Sequence, residues 1–378
     1  MREDKDKGKE ENIMKREVGR KRSNQKVSQI AISQVLPGMV TAKNVYSRND
    51  QLILNRETTL DSTKIAKIMF YAIESIYVYE PEVKSENDQY MQKIRNSIEF
   101  RNFKKDYDSC VVSVQNAMNS VIEQNKELDV KPLLQEMTQT INHAKSKTDV
   151  FYMLQCMIDY DDQTYVHCVN VALVCNIFAD WLGISKEGKE TATICGLLHD
   201  IGKLTIPKSI VNKPDRLTDQ EYEIMKLHTI RGYDLVKNMD LEDAVKQTIL
   251  LHHERYNGTG YPFQKAGDEI DPFVMLTAIA DVYNAMTSDR VYRTGRCPFD
   301  VIRELEENGK TLYAPEILIP IMERIAQSYI SHTVRLSTDE EGEIVMLNRD
   351  FLSKPLVKVE NRFIDLSKEK SIKINSIL

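Results

Sequence analysis

Apolar and polar residues are distributed along this chain in blocks, each with its own period. Residues 1–26 carry ten Lys/Arg and six Asp/Glu with almost no apolar content. Such a segment cannot bury enough surface to order itself and reads as a disordered charged tail. Two extended segments follow, 40–46 and 51–54, around the turn-forming set Ser47-Arg48-Asn49-Asp50. Asp61 or Ser62 is placed to cap a short helix through Phe70, and the β-rich run 75–79 comes next. Residues 27–82 therefore predict a small N-terminal α/β module. Ile94, Ile98, Val111, Val114, Met118, Val121 and Ile122 then recur at helical spacing. That stripe predicts a helical connector over 83–132. Helices at 83–150 serve either packing within the chain or a homodimer.

Residues 150–330 predict a run of helices. Asp161 or Asp162 caps one that ends near Gly183, and Ser185 opens another that ends near Gly202. Thr218 with Glu221 is a capping-box pair, Asp240 precedes a further helix, and Asp271-Pro272 supplies a cap with a proline at the first helical position. A last helix starts near Pro315, and 344–347 with 356–359 predict a short C-terminal β tail over 333–378. The expected fold class is mostly α: an all-helical domain over 133–332, with the α/β module and connector before it and the β tail after it.

Composition narrows the function. A length of 378 residues suggests two or three domains, and an apolar share of 42% is enough for a sizeable core. The net charge of −6 argues against a basic nucleic-acid surface while leaving room for a local pocket for one phosphorylated small molecule. No apolar run reaches the roughly 18 residues of a spanning helix, and there is no apolar signal core. The expectation is a cytoplasmic protein without a transmembrane segment. The six cysteines form no CxxC pair and read as reduced thiols, most of them in apolar helical text.

The chemistry is carried by histidine. Five of the seven histidines, His167, His199, His228, His252 and His253, lie within one helical stretch, accompanied by Asp200 and Asp281. Buried without partners they would be costly, whereas shared nitrogen and carboxylate ligation of metal ions satisfies all of them. Adjacent ligands at a helix end, as in His199-Asp200 and His252-His253, face one cluster from two directions, and a carboxylate can bridge two cations. Lys203 follows His199 by one turn and is placed beside a phosphate or leaving group. The loop 254–262, with Gly258, Gly260 and Pro262, is tight enough to approach a ligand, and Tyr261 is positioned to stack on a base or bond a phosphate. Arg290 and Arg293 form a fork suited to phosphate oxygens.

These segments together resemble the HD-GYP family of metal phosphohydrolases. The matching text is TYVHCVNVA around His167, GLLHDIGK at 196–203, HTIRGYDLV from His228, HHERYNGTGYP at 252–262 and ADVYNAMTSDRVYR at 280–293. The resemblance covers about half the chain, in family order and spacing. It implies an all-α catalytic domain holding two divalent ions, iron or manganese. It implies hydrolysis of cyclic di-GMP to pGpG, and in some members onward to GMP, by attack of a metal-bound hydroxide. Carried onto this chain, it places His167, His199, Asp200 and Asp281 around one metal, and His228, His252 and His253 around the other, with Asp200 bridging. Lys203 and Asp200 would serve catalysis; Tyr261, Arg290 and Arg293 would hold the nucleotide. Residues 35–79 and the C-terminal tail also resemble modules that flank such domains.

Three positions depart from the pattern. Gln163 stands where some members have a glutamate that recruits a third metal, so two ions are expected. Asn257 stands where aspartate is frequent. Asn284 replaces an aspartate, which removes a carboxylate from beside the centre. That last change is the one feature favouring an alternative reading as a catalytically weak cyclic di-GMP receptor. A third reading is a phosphohydrolase for another cyclic dinucleotide.

Overall fold

The computed structural model describes residues 27–32, 35, 39–47, 51–60, 62–71, 73, 75–79, 94–124, 126–157, 164–213, 215–287, 296–369 and 371–378. The tail 1–26, the turn residues 48–50, Asp61, the start of the connector, Asp161, Asp162, Gln163, Arg290 and Arg293 lie outside these residues. The chain divides into two compact units, Met1–Ser85 and Glu86–Leu378.

In the first unit β1 (Val27–Ala31) pairs antiparallel with β4 (Ser75–Tyr79), and β2 (Val45–Tyr46) pairs with β3 (Leu52–Leu54). Helix α1 (Ser62–Phe70) packs with them around a core of Val35, Val45, Ile53, Leu54, Leu60, Ile68, Ile76 and Val78. Strand β1 was not expected, and only the end of the segment 40–46 forms a named strand. Val40 and Thr41 make single bridges to Thr59 and Val78 instead.

The second unit is mostly helical, as the apolar spacing predicts. Helix α2 (Ile98–Gln124) buries Phe100, Phe103, Tyr107, Cys110, Val114, Met118 and Val121, a continuous three-and-four spacing. That stripe is covered from within the chain, by α3 (Lys131–Asn142) and by α5 (Thr164–Trp181). The Tyr107 hydroxyl donates to Asn170 Oδ1 at 2.7 Å, and the Tyr165 hydroxyl donates to Asn119 Oδ1 at 2.7 Å. Helix α4 (Lys147–Gln155) begins at a capping box formed by Ser146 and Asp149.

Helix α5 is buried on most of its circumference and packs along α6 (Lys186–Leu198), whose first turn is capped by the Ser185 hydroxyl accepting from Gly188 N–H. A Cβ at Gly196 would lie 2.8 Å from Ala172 Cα, so this crossing requires glycine. Helix α6 ends at Leu198, earlier than the expected end near Gly202. Asp200 adopts φ −103° and ψ 9°, and a 3₁₀ turn follows over Ile201–Thr205. That turn lies against the start of the helix His228–Val236 so closely that a Cβ on Gly202 would meet the His228 carbonyl oxygen.

The next helices are α7 (Lys208–Val211), α8 (Asp219–Lys226), α9 (His228–Val236), α10 (Asp243–Leu251), α11 (Pro272–Thr287), α12 (Pro298–Glu304) and α13 (Pro315–Ser328). The Thr218–Glu221 capping box forms as expected, and Asp271 Oδ1 accepts from Phe273 N–H at 2.8 Å at the start of α11. The tail is larger than the two strands expected. It is a five-stranded antiparallel sheet in the order β8-β7-β6-β5-β9, built from β5 (Thr333–Leu336), β6 (Glu341–Met346), β7 (Leu356–Val359), β8 (Arg362–Asp365) and β9 (Ile374–Ile377). Its inner face, including Val334, Leu336, Ile344, Val357 and Ile374, joins the helical core. Among the described residues no helix is long and apolar enough to cross a membrane, and all six cysteines are free thiols.

Candidate metal centre

Five elements deliver seven side chains to one buried point. His167 comes from the first turns of α5, His199 and Asp200 from the break after α6, His228 from the first residue of α9, His252 and His253 from the end of α10, and Asp281 from α11. The break after Leu198 matters here. It takes Asp200 off the helical path, so two neighbouring residues aim at the same point.

Asp200, 1% exposed, is the hub. Its Oδ2 lies 3.5 Å from His167 Nε2, 3.3 Å from His199 Nε2 and 2.5 Å from Lys203 Nζ. Its Oδ1 lies 3.4 Å from His228 Nε2 and 3.7 Å from His252 Nε2. Asp281 Oδ1 is 3.0 Å from His167 Nε2. The ligand atoms fall into two groups capable of holding a metal: His167, His199 and Asp281; and Asp200, His228, His252 and His253.

Three imidazoles are oriented by backbone carbonyls. His199 Nδ1–H donates to Gly196 O at 2.8 Å, His228 Nδ1–H to Met225 O at 2.6 Å, and His252 Nδ1–H to Thr248 O at 3.1 Å and Ile249 O at 3.2 Å. A carbonyl only accepts, so each Nε2 keeps its lone pair toward the centre. His167 is held differently, with its Nδ1 3.1 Å from Asn284 Nδ2.

Electrostatics keep most of these groups in the ligating form. Burial pushes the His228 imidazole down to about 3 and lowers His252 and His253. Burial also works against the charged form of His199, but Asp200 and Asp281 outweigh it and its pKa lies above the usual value. Burial acts upward on Asp200, yet Lys203 and His199 hold its pKa well below the usual carboxylate range. The same balance, led by His167, keeps Asp281 ionised. Burial disfavours the Lys203 ammonium, but the Asp200 and Asp281 carboxylates raise its pKa.

Among the seven clustered side chains two buried atoms, His199 Nε2 and Asp200 Oδ1, have no hydrogen-bond partner. Each such atom costs on the order of 1–3 kcal/mol. Imidazole nitrogens and carboxylate oxygens gathered in this way, with orphaned lone pairs between them, are a donor set suited to divalent metal ions. The residues present fit that group.

Tyr261 stacks on His253, ring centroids 4.7 Å apart, and forms one wall. The loop that carries it folds back so tightly that a Cβ at Gly260 would sit 2.4 Å from Glu254 Cα. Asn257 Oδ1 accepts from Thr259 N–H and from the Thr259 hydroxyl, the turn-forming contacts an aspartate would also make. The peptide bond Tyr261–Pro262 is cis.

Sequence reasoning missed three residues here. Glu254 is buried, and its Oε1 accepts from Phe263 N–H at 2.7 Å, fastening the loop. Tyr222, 48% exposed, meets Tyr261 edge-on at 6.5 Å. The Lys226 ammonium lies 5.4 Å from the Tyr222 ring and 5.8 Å from the Tyr261 ring. The signal for the last two was an i,i+4 aromatic–lysine pair just before His228. Arg290 and Arg293 are outside the described residues.

A family model described as HD domain matches residues 128–317, half of the chain. A cyclic di-GMP phosphodiesterase of Pseudomonas aeruginosa is 34% identical over 201 residues, covering 53% of this chain and 48% of the relative. A cyclic di-GMP phosphodiesterase of Thermotoga maritima is 32% identical over 196 residues, covering 51% and 53%. A 3'3'-cGAMP-specific phosphodiesterase of Vibrio cholerae is 30% identical over 180 residues, covering 47% and 34%. The chain spans about half the length of the first two relatives and a third of the third.

Proposed function

Since this chain belongs to the HD domain family, we propose that it is a cytoplasmic, metal-dependent phosphodiesterase that hydrolyses cyclic di-GMP to pGpG and, by a second cut, to GMP. The observation that carries the proposal is the division of the Asp200 carboxylate. Each oxygen faces its own set of imidazoles, and Oδ1 and His199 Nε2 are buried without a hydrogen-bond partner. The relatives named as cyclic di-GMP phosphodiesterases support the substrate class.

In this reading His167, His199 and Asp281 would hold one ion, His228, His252 and His253 would hold the other, and Asp200 would be shared between them. Two ions are proposed because Gln163 supplies no carboxylate for a third, and the mixed nitrogen–oxygen set suits iron or manganese. When bound, the ions supply charge neutralisation at the phosphoryl oxygens and activation of a water.

The chain's own residues do the rest. Lys203 keeps Asp200 ionised and holds a proton at Nζ beside the centre, where it can meet phosphate or leaving-group oxygen. Burial raises the Tyr261 phenol well above its ordinary pKa, so its hydroxyl stays a donor throughout the working range. Stacked on His253, it walls the site and bonds the nucleotide. Arg290 and Arg293, on the sequence motif alone, take the phosphate oxygens.

Product chromatography tests this directly. Protein prepared anaerobically and loaded with iron or manganese is expected to convert cyclic di-GMP to pGpG. Binding without product would overturn the enzyme reading in favour of a receptor, the alternative that Asn284 favours. A faster cut of 3'3'-cGAMP in the same panel would move the substrate to another cyclic dinucleotide.

A further inference from the structure

We propose that Tyr222 and Lys226 form a base subsite beside the metal centre, in which the ring stacks on a purine and the ammonium selects guanine over adenine. The inference rests on the reading of this chain as a cyclic dinucleotide phosphodiesterase and names what fixes its choice of base.

Helix α8 is short, and none of its side chains is buried. Tyr222 and Lys226 are four residues apart and so lie on one face of it. That face meets the loop that carries Tyr261. The Tyr222 ring stands at 77° to the Tyr261 ring, with centroids 6.5 Å apart. Tyr261 in turn lies at only 26° to His253, with centroids 4.7 Å apart. One face of Tyr261 is therefore covered by a residue of the histidine cluster. The rings form a ladder leading outward from that cluster, and Tyr222, 48% exposed, is its open end. A lone exposed tyrosine would need no explanation. This one is joined to the cluster through a second ring and shares that ring with a cation.

The cation is Lys226. Its Nζ lies 5.4 Å from the Tyr222 centroid and 5.8 Å from the Tyr261 centroid. Nζ is also 2.6 Å from Glu223 Oε1, whose side chain is 68% exposed. An ammonium carries three protons, so one contact with a solvated carboxylate leaves donors for a ligand.

The two side chains do different work. Every base has a π face, so stacking on Tyr222 holds a base without choosing among bases. Lysine only donates, and that is where a choice arises. Guanine turns two acceptors, O6 and N7, to one edge, whereas adenine sets the N6 amino donor beside N7. An ammonium at that edge is satisfied by guanine and opposed by the adenine amino group. Bidentate base contacts discriminate by about 1–3 kcal/mol. A lysine is a single point donor, so the low end applies, about five- to tenfold.

The test follows linear product from cyclic di-GMP and cyclic di-AMP by chromatography, using metal-loaded full-length protein. The quantity read is the ratio of the two kcat/KM values, which does not depend on the fraction of protein that is folded and loaded. Wild type is expected to favour cyclic di-GMP. Lys226→Met keeps the apolar stem and removes the donor, and should lower the ratio about five- to tenfold; Lys226→Arg should preserve it. Tyr222→Ala should raise KM for both substrates by a similar factor, about five- to a hundredfold, and leave the ratio in place; Tyr222→Phe should keep the wild-type KM. A merely structural role would not separate affinity from choice in this way. The proposal is overturned by a Lys226→Met ratio equal to wild type, which would reduce Lys226 to its ion pair with Glu223. It is equally overturned by a Tyr222→Ala protein with wild-type KM, or by wild type with no preference between the two substrates. Wild-type protein that cuts neither would instead overturn the phosphodiesterase reading, and this subsite with it.

Discussion

Asp200→Asn is the most searching perturbation of the centre. The substitution keeps shape and packing but removes the charge and leaves one acceptor oxygen in place of two. In the wild type the two oxygens lie 3.3–3.7 Å from four different imidazole nitrogens, two on each side. An amide cannot serve both sets, since its NH₂ donates where a ligand must accept. The ion content, expected at two per wild-type chain, should fall to near zero, with hydrolysis reduced at least about a thousandfold. Stability gives an independent readout. An ion at about a hundredfold excess over its Kd stabilises the folded state by about 2.7 kcal/mol, so two sites contribute about 5 kcal/mol. For a domain of this size that corresponds to roughly 10–20 °C in Tm. Melting curves with and without a chelator should therefore differ by that amount in the wild type and coincide in Asp200→Asn. Asparagine is chosen over alanine because it leaves Lys203 a hydrogen-bond acceptor. An Asp200→Asn protein that retains both ions and the chelator-sensitive shift would refute the bridging geometry.

Other perturbations probe the surroundings. Arg290→Ala should raise KM for cyclic di-GMP at least about tenfold while leaving metal content unchanged; loss of metal instead would contradict a substrate role. Tyr222→Ala should also raise KM, by about five- to a hundredfold if the ring stacks on a base, with turnover of a small aryl phosphodiester unaffected. Gly202→Ala forces a methyl group into the His228 carbonyl, and should cost on the order of 3 kcal/mol and weaken ion binding; a urea midpoint equal to wild type would reject that close approach. Acid should destabilise the metal-free protein. His228, held at about 3, and His252 and His253, also lowered, resist protonation when folded but accept it when unfolded. Stability is therefore full above the unfolded histidine pKa of about 6.5 and falls as pH drops below it. His228 alone should contribute a loss of about 1.4 kcal/mol by about pH 5.5, with His252 and His253 adding to it and His199 opposing it, and an unchanged denaturation midpoint between about pH 7.5 and 5.5 would sink this account.

The sequence by itself determined what is local. Ser185, the Thr218–Glu221 pair and Asp271-Pro272 announce helix starts because a cap needs only residues within one turn. The helical spacing from Val114 to Val121 declares a buried face for the same reason. The identity of the seven candidate ligands was legible too, since burying five imidazoles and two carboxylates in apolar helices is costly unless ions bind them. Tertiary structure alone decided the partners. A periodic stripe names a face but not what covers it, so the seating of α2 on α5 and the pairing of β1 with β4 had no one-dimensional signature. The division of Asp200 between two imidazole sets goes with a backbone break at that residue, beside the close approach of Gly202 to α9. The amide facing His167 lies 117 positions away along the chain. That approach is a matter of tertiary distance, which residue type alone does not encode.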